Sequence, residues 1–429
     1  MCGLAGAALF LEGNAKAVVN SMCSKAVHRG PDNLSIVSNK RGDVAFGHLR
    51  LAIIDIASSS NQPMRRENLE IIFNGEIYNY KCLRKELNEL GYNFLTSSDT
   101  EVLLLGYKVW GQEILKKING IFAFAIFDHT FNQFFLARDA FGVKPLYYFK
   151  NHNGFFFGSE IKQLLALHFS EFTENKIISS LFLNSGIMGF DDKTFFNEIN
   201  QVPAGSSLIF SVNNQSLKKK KWFNLREDVK NTKVPLCLES LLNQTIRSQL
   251  VSDVPIGSCL SGGLDSSLLV GLIADMSNSV PLKTISAIYP EFPDINEEEY
   301  INEVVAFNGV QNFKVNPQLS EILNSLDDLN YKFDGPIGNT SVLAQLSVYQ
   351  KAKELGLKVM LDGQGADEVF CGYGHFFSYA FLEAFYKCDI HQLISLFLSS
   401  ARSDHLSTYG LIKSLATPFI SVSMQEKKF

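Results

Sequence analysis

The second residue of the chain is a cysteine, and removal of Met1 would leave Cys2 carrying both a free α-amine and a thiol. That pairing can start an acyl transfer: a thiol is only a few per cent ionised near neutral pH, and an α-amine, with a reference pKa near ~8, can take its proton directly or through one water. Alone, such a residue is also what an ordinary buried thiol looks like. A second cluster, Ser261-Gly262-Gly263-Leu264-Asp265-Ser266-Ser267, falls where an apolar run gives way to a helical one. Glycines let backbone amides crowd an anion, a helix N-terminus adds partial positive charge and hydroxyls add donors, so this loop suits a phosphate or pyrophosphate. Asp265 fits beside such a nest if Mg2+ lies between them; otherwise it is the cap of a Gly-rich turn. No GxxxxGK[ST] loop occurs. A second loop, Leu361-Asp362-Gly363-Gln364-Gly365-Ala366-Asp367-Glu368, repeats the logic. Ligands of open α/β sheets sit outside the carboxyl ends of the strands, so the two loops should meet at one crevice, with Asp265 and Asp367 as the Mg2+ pair. Taken separately, Asp367-Glu368 also suits the solvated first turn of a helix.

Such groups need rigid elements, and the chain divides into two textures. Up to about residue 223, short β-rich runs recur at 2–10, 44–54, 69–73, 122–127, 134–137 and 155–158. Turn signals such as Arg41-Gly42-Asp43 and Asn153-Gly154 separate them, as in antiparallel sheets. One helix is clear over 80–90, with Leu83, Leu87 and Leu90 in phase and Gly91 as its stop. From about Pro235 strand, loop and helix alternate, as in 254–260 followed by 265–276, which predicts a parallel sheet flanked by helices. The polar stretch 224–233 reads as the linker.

A chain of 429 residues implies two or three domains, and 46% hydrophobic with 19% charged residues excludes disorder. A net charge of −5 and a pI near 6.0 offer no field for nucleic acid; the four lysines at 218–221 read as a solvated strand end. Seven cysteines, an odd number without CxxC spacing, argue against a disulfide framework or zinc site and for a reducing cytoplasm. No apolar run reaches membrane-spanning length, and no signal-peptide pattern opens the chain.

Taken in order, several runs resemble one family. They are Cys2-Gly3, His28-Arg29-Gly30-Pro31-Asp32, His48-Leu49-Arg50-Leu51-Ala52-Ile53-Ile54-Asp55, Asn74-Gly75-Glu76-Ile77-Tyr78-Asn79, Ser98-Asp99-Thr100-Glu101, Arg138-Asp139, Gly142-Val143-Lys144-Pro145-Leu146-Tyr147 and Ser159-Glu160-Ile161-Lys162. They resemble the class II glutamine amidotransferase domain of glutamine-hydrolysing asparagine synthetases, and the run at Ser261 resembles the pyrophosphate loop of their synthetase domain. The resemblance implies an αββα sandwich of the N-terminal nucleophile type over 2–223, then an α/β parallel-sheet ATP pyrophosphatase-type domain over 235–429.

It also implies roles. Cys2 attacks the glutamine side-chain amide, and the Asn74 amide and Gly75 N–H receive the oxyanion. Arg50 takes the substrate carboxylate, Asp99 its ammonium, and Leu51, Ala52, Ile53, Ile54 and Glu76 line the pocket. Outside the family, Arg50 would read as a surface ion pair and Asn74-Gly75 as a type I′ turn. In the second domain ATP, with Mg2+ on Asp265 and Asp367, activates a carboxylate as an acyl-adenylate. Leu260, Ser261, Gly262, Gly263, Ser266, Ser267, Ala287, Asp362 and Gly363 hold nucleotide and pyrophosphate, and Gln364 stands at the position of the acyl-adenylate step. Ammonia from the first site needs an apolar passage to the second. The implied reaction converts aspartate to asparagine through β-aspartyl-AMP, on small-molecule substrates, in the cytoplasm, in a chain compatible with a homodimer. Alternatives are another carboxylate acceptor, such as a sugar acid, peptide or metabolite, or a glutaminase whose second domain is non-synthetic.

Departures bear on the acceptor. Gln364 replaces a glutamate common in the family; a neutral amide cannot act as a base there, which hints at a different acceptor. Cys371 replaces a glycine of Phe-Gly-Gly-Tyr. After Tyr373 no counterpart of the family's Arg-Val-Pro-Phe-Leu-Asp run is found, Thr417-Pro418-Phe419 being the nearest echo, so the synthetase half is expected to be short.

Overall fold

The structure, a computed structural model, describes residues 1–186, 192–231, 237–276, 281–318, 326–373 and 375–402. Thr417-Pro418-Phe419 lies outside the described residues. The N-terminal half contains β1 (Gly3–Leu9), β2 (Asn33–Ser38), β3 (Val44–Arg50), β4 (Met64–Arg66), β5 (Leu69–Ile77), β6 (Gly120–Asp128), β7 (Gln133–Arg138), β8 (Tyr147–Lys150), β9 (Gly154–Gly158), β10 (Asn200–Gln201), β11 (Ser206–Ser211) and β12 (Leu217–Lys221). They form two six-stranded antiparallel sheets, ordered β10-β8-β9-β1-β3-β2 and β12-β11-β7-β6-β5-β4.

Strand β6 shows why the sheets stack. Successive side chains point to opposite faces, so in Gly-Ile-Phe-Ala-Phe-Ala-Ile-Phe-Asp the set Phe122, Phe124 and Ile126 packs outward under helices, while Ala123, Ala125 and Phe127 face the other sheet. Between the sheets the rings of Phe155 and Phe210 lie 4.2 Å apart, Phe127 and Phe134 4.7 Å, and Phe134 and Phe157 5.2 Å. The abundant phenylalanine is thus spent largely on this core. Helices Tyr80–Glu89 and Asp99–Trp110 cover one outer face, and Ala15–Ser24 and Ile161–Leu165 the other, completing the expected αββα layers. The first of these ends as anticipated, with Gly91 at φ 90° and the Tyr92 amide returning to the Leu87 carbonyl at 3.0 Å.

The expected linker is corrected in part: Leu225–Asn231 is helical. Its order is local, with the Asn224 carbonyl accepting from the Glu227 and Asp228 amides, acids in the first turn and Lys230 in the last, and so needs no apolar periodicity. Residues 232–236 lie outside the described set. Strand β3 also ends at Arg50 rather than at residue 54, which frees Leu51-Ala52-Ile53-Ile54 to leave the sheet.

In the second half β13 (Ile256–Cys259), β14 (Lys283–Ala287), β15 (Gln311–Val315) and β16 (Val359–Leu361) form a parallel sheet ordered β15-β14-β13-β16. The chain steps from β13 outward to β15 and returns on the other side as β16, so the β13–β16 border is a topological switch point. Polar contacts join the halves: the Asp253 amide donates to Ile53 O (3.0 Å), Asp253 Oδ2 accepts from the Asp55 amide (2.7 Å), and Lys358 Nζ meets Asp32 Oδ2 (2.8 Å). No helix among the described residues is long and apolar enough to cross a membrane.

Phe134→Ala should cost about 3–5 kcal/mol of stability, read from the denaturant midpoint of the N-terminal half, because the ring is buried against Phe46, Phe127 and Phe157. A loss below about 1 kcal/mol would mean the sheets are not packed through these rings.

Candidate active site

Cys2 precedes β1, which pairs antiparallel with β3 in the register Gly3↔Leu49. That register sets the thiol beside the point where β3 ends, and Sγ accepts from the Leu51 amide at 3.3 Å. Arg29 Nε donates to the Cys2 carbonyl at 2.8 Å. Gly30 lets the intervening turn lie on β3, since a Cβ there would stand 2.1 Å from the Leu49 carbonyl carbon.

One cleft is lined by Cys2, Arg50, Leu51, Ala52, Ile53, Ile54, Asn74, Gly75, Glu76 and Asp99 together, with Met1, Ser60, Gln62, Phe73, Ser98, Thr100 and Lys144. Arg50 is buried and donates to Ala57 O (2.8 Å), Asn61 Oδ1 (2.7 Å) and Asp55 O, with no carboxylate among these partners. The surface ion-pair reading is therefore set aside. Asn74 and Gly75 lie within β5, opposite Ala123 and Phe122, which overturns the hairpin-turn reading. A Cβ at position 75 would stand 2.1 Å from the Ile121 carbonyl oxygen, so glycine is a condition of this pairing. Asn74 is 1% exposed and its Nδ2 has no partner among the described residues, a buried donor facing the cleft with its hydrogen bond unmade there.

Asp99 opens the helix Asp99–Trp110, behind the Ser98 cap, and accepts from the Ile77 amide at 3.0 Å. Burial pushes its pKa up to about 7, with Glu76 adding to the rise. Burial raises Glu76 as well, opposed by Lys144, and lowers Lys144. Lys144, in the Gly142-Val143-Lys144-Pro145 run, is a cleft residue that the sequence did not announce as one, since its half-buried setting is made by residues distant in the chain. Burial raises the Cys2 thiol, against the Leu51 amide and the neighbouring positive charges, so the sulfur needs a base. The terminal amine, here on Met1, is lowered to about 6 by burial, helped by Arg29 and Lys144, and is therefore a neutral proton acceptor near pH 7.

At the second site, Leu260, Ser261 and Asp362 follow directly on β13 and β16, and Ala287 ends β14, so all lie at the carboxyl edge of the sheet. Ser266 Oγ accepts from the Ser261 amide (3.2 Å) and meets Ser261 Oγ (3.0 Å), closing the loop on itself, while Gly262 takes φ 86°. The two loops come together: a Cβ on Gly363 would lie 3.3 Å from the Ser266 amide nitrogen and 3.4 Å from Asp265 Cβ. The Tyr373 hydroxyl donates to Glu368 Oε1 at 3.1 Å, and that bond, with the charges of Asp367 and Asp265, raises its pKa. Two carboxylates beside an anion loop fit Mg2+, which ordinarily takes one or two carboxylates with phosphate and water oxygens making up the rest. Gln364 is exposed. Cys371 follows the helix Ala366–Phe370 at φ 58°, a left-handed position where glycine carries no steric cost, which accounts for glycine there in the resembling pattern.

Residues 1–223 match the family model described as glutamine amidotransferase domain, and residues 237–420 the one described as asparagine synthase. The second match passes Tyr373, which corrects the expectation that the likeness ends there. Putative asparagine synthetase [glutamine-hydrolyzing] 2 of Methanocaldococcus jannaschii is 33% identical over 397 residues, 87% of this chain and 76% of that protein. Asparagine synthetase [glutamine-hydrolyzing] 1 of Bacillus subtilis is 33% identical over 87% of this chain and 59% of its own length, so the chain spans well under two thirds of that relative. Amidase chry2 of Gibberella zeae is 28% identical over 85% of this chain and 57% of its own. The chain belongs to the glutamine-hydrolysing asparagine synthetase family.

Burial in the cleft holds Asp99 against its own charge. A carboxyl with a raised folded pKa binds more protons folded than unfolded between its reference 3.8 and about 7, so its contribution to stability falls as pH rises through that window. Asp99→Asn should raise Tm at pH 8 by about 2–4 °C for each kcal/mol relieved, and by less at pH 4. An equal effect at both pH values would contradict the raised pKa.

Proposed function

We propose that the chain hydrolyses glutamine at Cys2 and passes the ammonia to a carboxylate activated by ATP in the second half, with aspartate as acceptor and asparagine as product. Once Met1 is removed, the Cys2 amine takes the thiol proton and Sγ attacks the glutamine amide carbon. The oxyanion is received by Asn74 Nδ2 and the Gly75 amide, ammonia leaves, and water releases glutamate from the thioester. Arg50 and Asp99 hold the substrate carboxylate and ammonium. In the second half the acceptor carboxylate attacks the α-phosphorus of ATP, pyrophosphate leaves into the Ser261 loop, and ammonia displaces AMP. Asp265 and Asp367 would hold Mg2+, which offsets phosphate charge. The observation that carries the reading is the unpartnered Asn74 Nδ2, buried in the same cleft as the thiol. Seven unpaired cysteines support a cytoplasmic setting. The exposed Gln364, and relatives such as Amidase chry2, favour a second reading in which the acceptor is another carboxylate.

The test is an assay of glutamate from glutamine together with AMP from ATP, across carboxylate acceptors. Cys2→Ala should abolish glutamate release and leave ammonia-driven AMP release intact; glutamate release that survives sinks the role of Cys2. Asn74→Ala should lower kcat for glutamate release by about 10²–10³ with little change in stability. AMP release with aspartate identifies the acceptor, release only with other carboxylates selects the second reading, and release with none rejects synthesis.

The acid limb of kcat/KM should lie near pH 7, where Asp99 must ionise to receive an ammonium. An acid limb near the ordinary carboxylate range of ~4 would contradict the role of Asp99.

A further inference from the structure

Asp334 belongs to the second half, directly after the helix Leu326–Phe333, and adopts φ 57°, a left-handed conformation that a non-glycine residue keeps only when its surroundings hold it. What holds it lies in the first half. Its carboxylate accepts from the amides of Ile161 (2.7 Å) and Lys162 (3.1 Å), at the start of the helix Ile161–Leu165, and meets Lys162 Nζ at 3.0 Å. Lys162 Nζ reaches Glu160 Oε2 at 2.7 Å, and Glu160 Oε1 takes Arg29 Nη1 and His28 Nε2, each at 2.9 Å. Arg29 Nε then donates to the carbonyl of Cys2 at 2.8 Å.

The side chains of Asp334, Lys162, Glu160 and Arg29 are 9%, 6%, 7% and 7% exposed, so four buried charges alternate in sign and cancel in sum. Removing one such charge strands its neighbours, which is far costlier than cutting a surface pair. Burial alone would raise Glu160, yet His28, Lys162 and Arg29 hold it near 2, so it stays an anion. Arg29 depends on that anion for its place: its Nη2 is buried without a partner among the described residues. None of the four lines the cleft.

We propose that Asp334 is a positioning residue for the glutaminase nucleophile: by fixing Lys162 and, through Glu160, Arg29, it lets the second half set where Cys2 stands relative to Asn74 and Gly75. The inference rests on the function proposed above, and its consequence is that glutamine hydrolysis is tuned from the half that consumes the ammonia.

Asp334→Asn keeps the side-chain size and an acceptor oxygen but removes the charge facing Lys162. In the full chain, kcat for glutamate release should fall about 3- to 30-fold. KM for glutamine should stay within about twofold, since Arg50 and Asp99 are untouched. Iodoacetamide alkylation of Cys2, followed by peptide mass spectrometry, should slow to a similar degree. Lys162→Gln should give a comparable loss, and the double variant should be no worse than either single one. Wild-type kcat and wild-type Cys2 alkylation in Asp334→Asn, or losses that multiply in the double variant, overturn the inference. A wild-type chain that releases no glutamate overturns the function proposed above, whereas Cys2 alkylation still reads the link between Asp334 and the thiol.

Discussion

The register of β1 on β3 is the constraint on which the first site depends. With Gly3 opposite Leu49, the residue before β1 falls beside the residue after β3, so the chain's own start is brought to the Leu51 amide and the Arg50 guanidinium. A slip of one residue would turn every side chain of β1 to the other face and separate the sulfur from the Arg50 guanidinium. A neighbouring turn and strand reinforce this placement through backbone approaches that only glycine allows, at Gly30 over Leu49 and at Gly75 against Ile121. The inter-sheet phenylalanine core fixes the sheets relative to one another and therefore the β5 residues relative to Cys2.

Electrostatics in the cleft follow from that burial. A carboxylate near 7, a lowered lysine and a raised thiol all follow from loss of water around charged groups in one cleft, a concentration of shifts that marks it as the candidate site. The second site follows a different principle. Its loops owe their position to strand order: β16 returns beside β13, so the Ser261 and Asp362 loops flank a switch point whatever their side chains.

Much of this was legible in the residues. The β-rich run at 122–127, the helix ending at Gly91 and the strand-loop-helix rhythm after 235 are local signals, and the structure follows them. What escaped is what depends on partners distant in sequence. The early end of β3 reflects the need of Leu51-Ala52-Ile53-Ile54 to wall a cleft rather than any loss of β propensity. Lys144 is half-buried and lines the cleft with Glu76 and Met1, which lie far from it in the chain, and the helix within 224–233 rests on caps and charges rather than on an apolar stripe. The contacts of Asp334 with Ile161 and Lys162 span more than 170 positions and have no signature in either segment alone.

The central claim is that the amino-terminal cysteine opens a carboxamide. Acid quenching of the protein during turnover with glutamine, followed by mass spectrometry of its N-terminal peptide, examines that claim at the atom concerned. The peptide should begin at Cys2 and carry a γ-glutamyl thioester on its sulfur. A peptide that still begins at Met1, or a glutamyl group carried on any other residue, would contradict it.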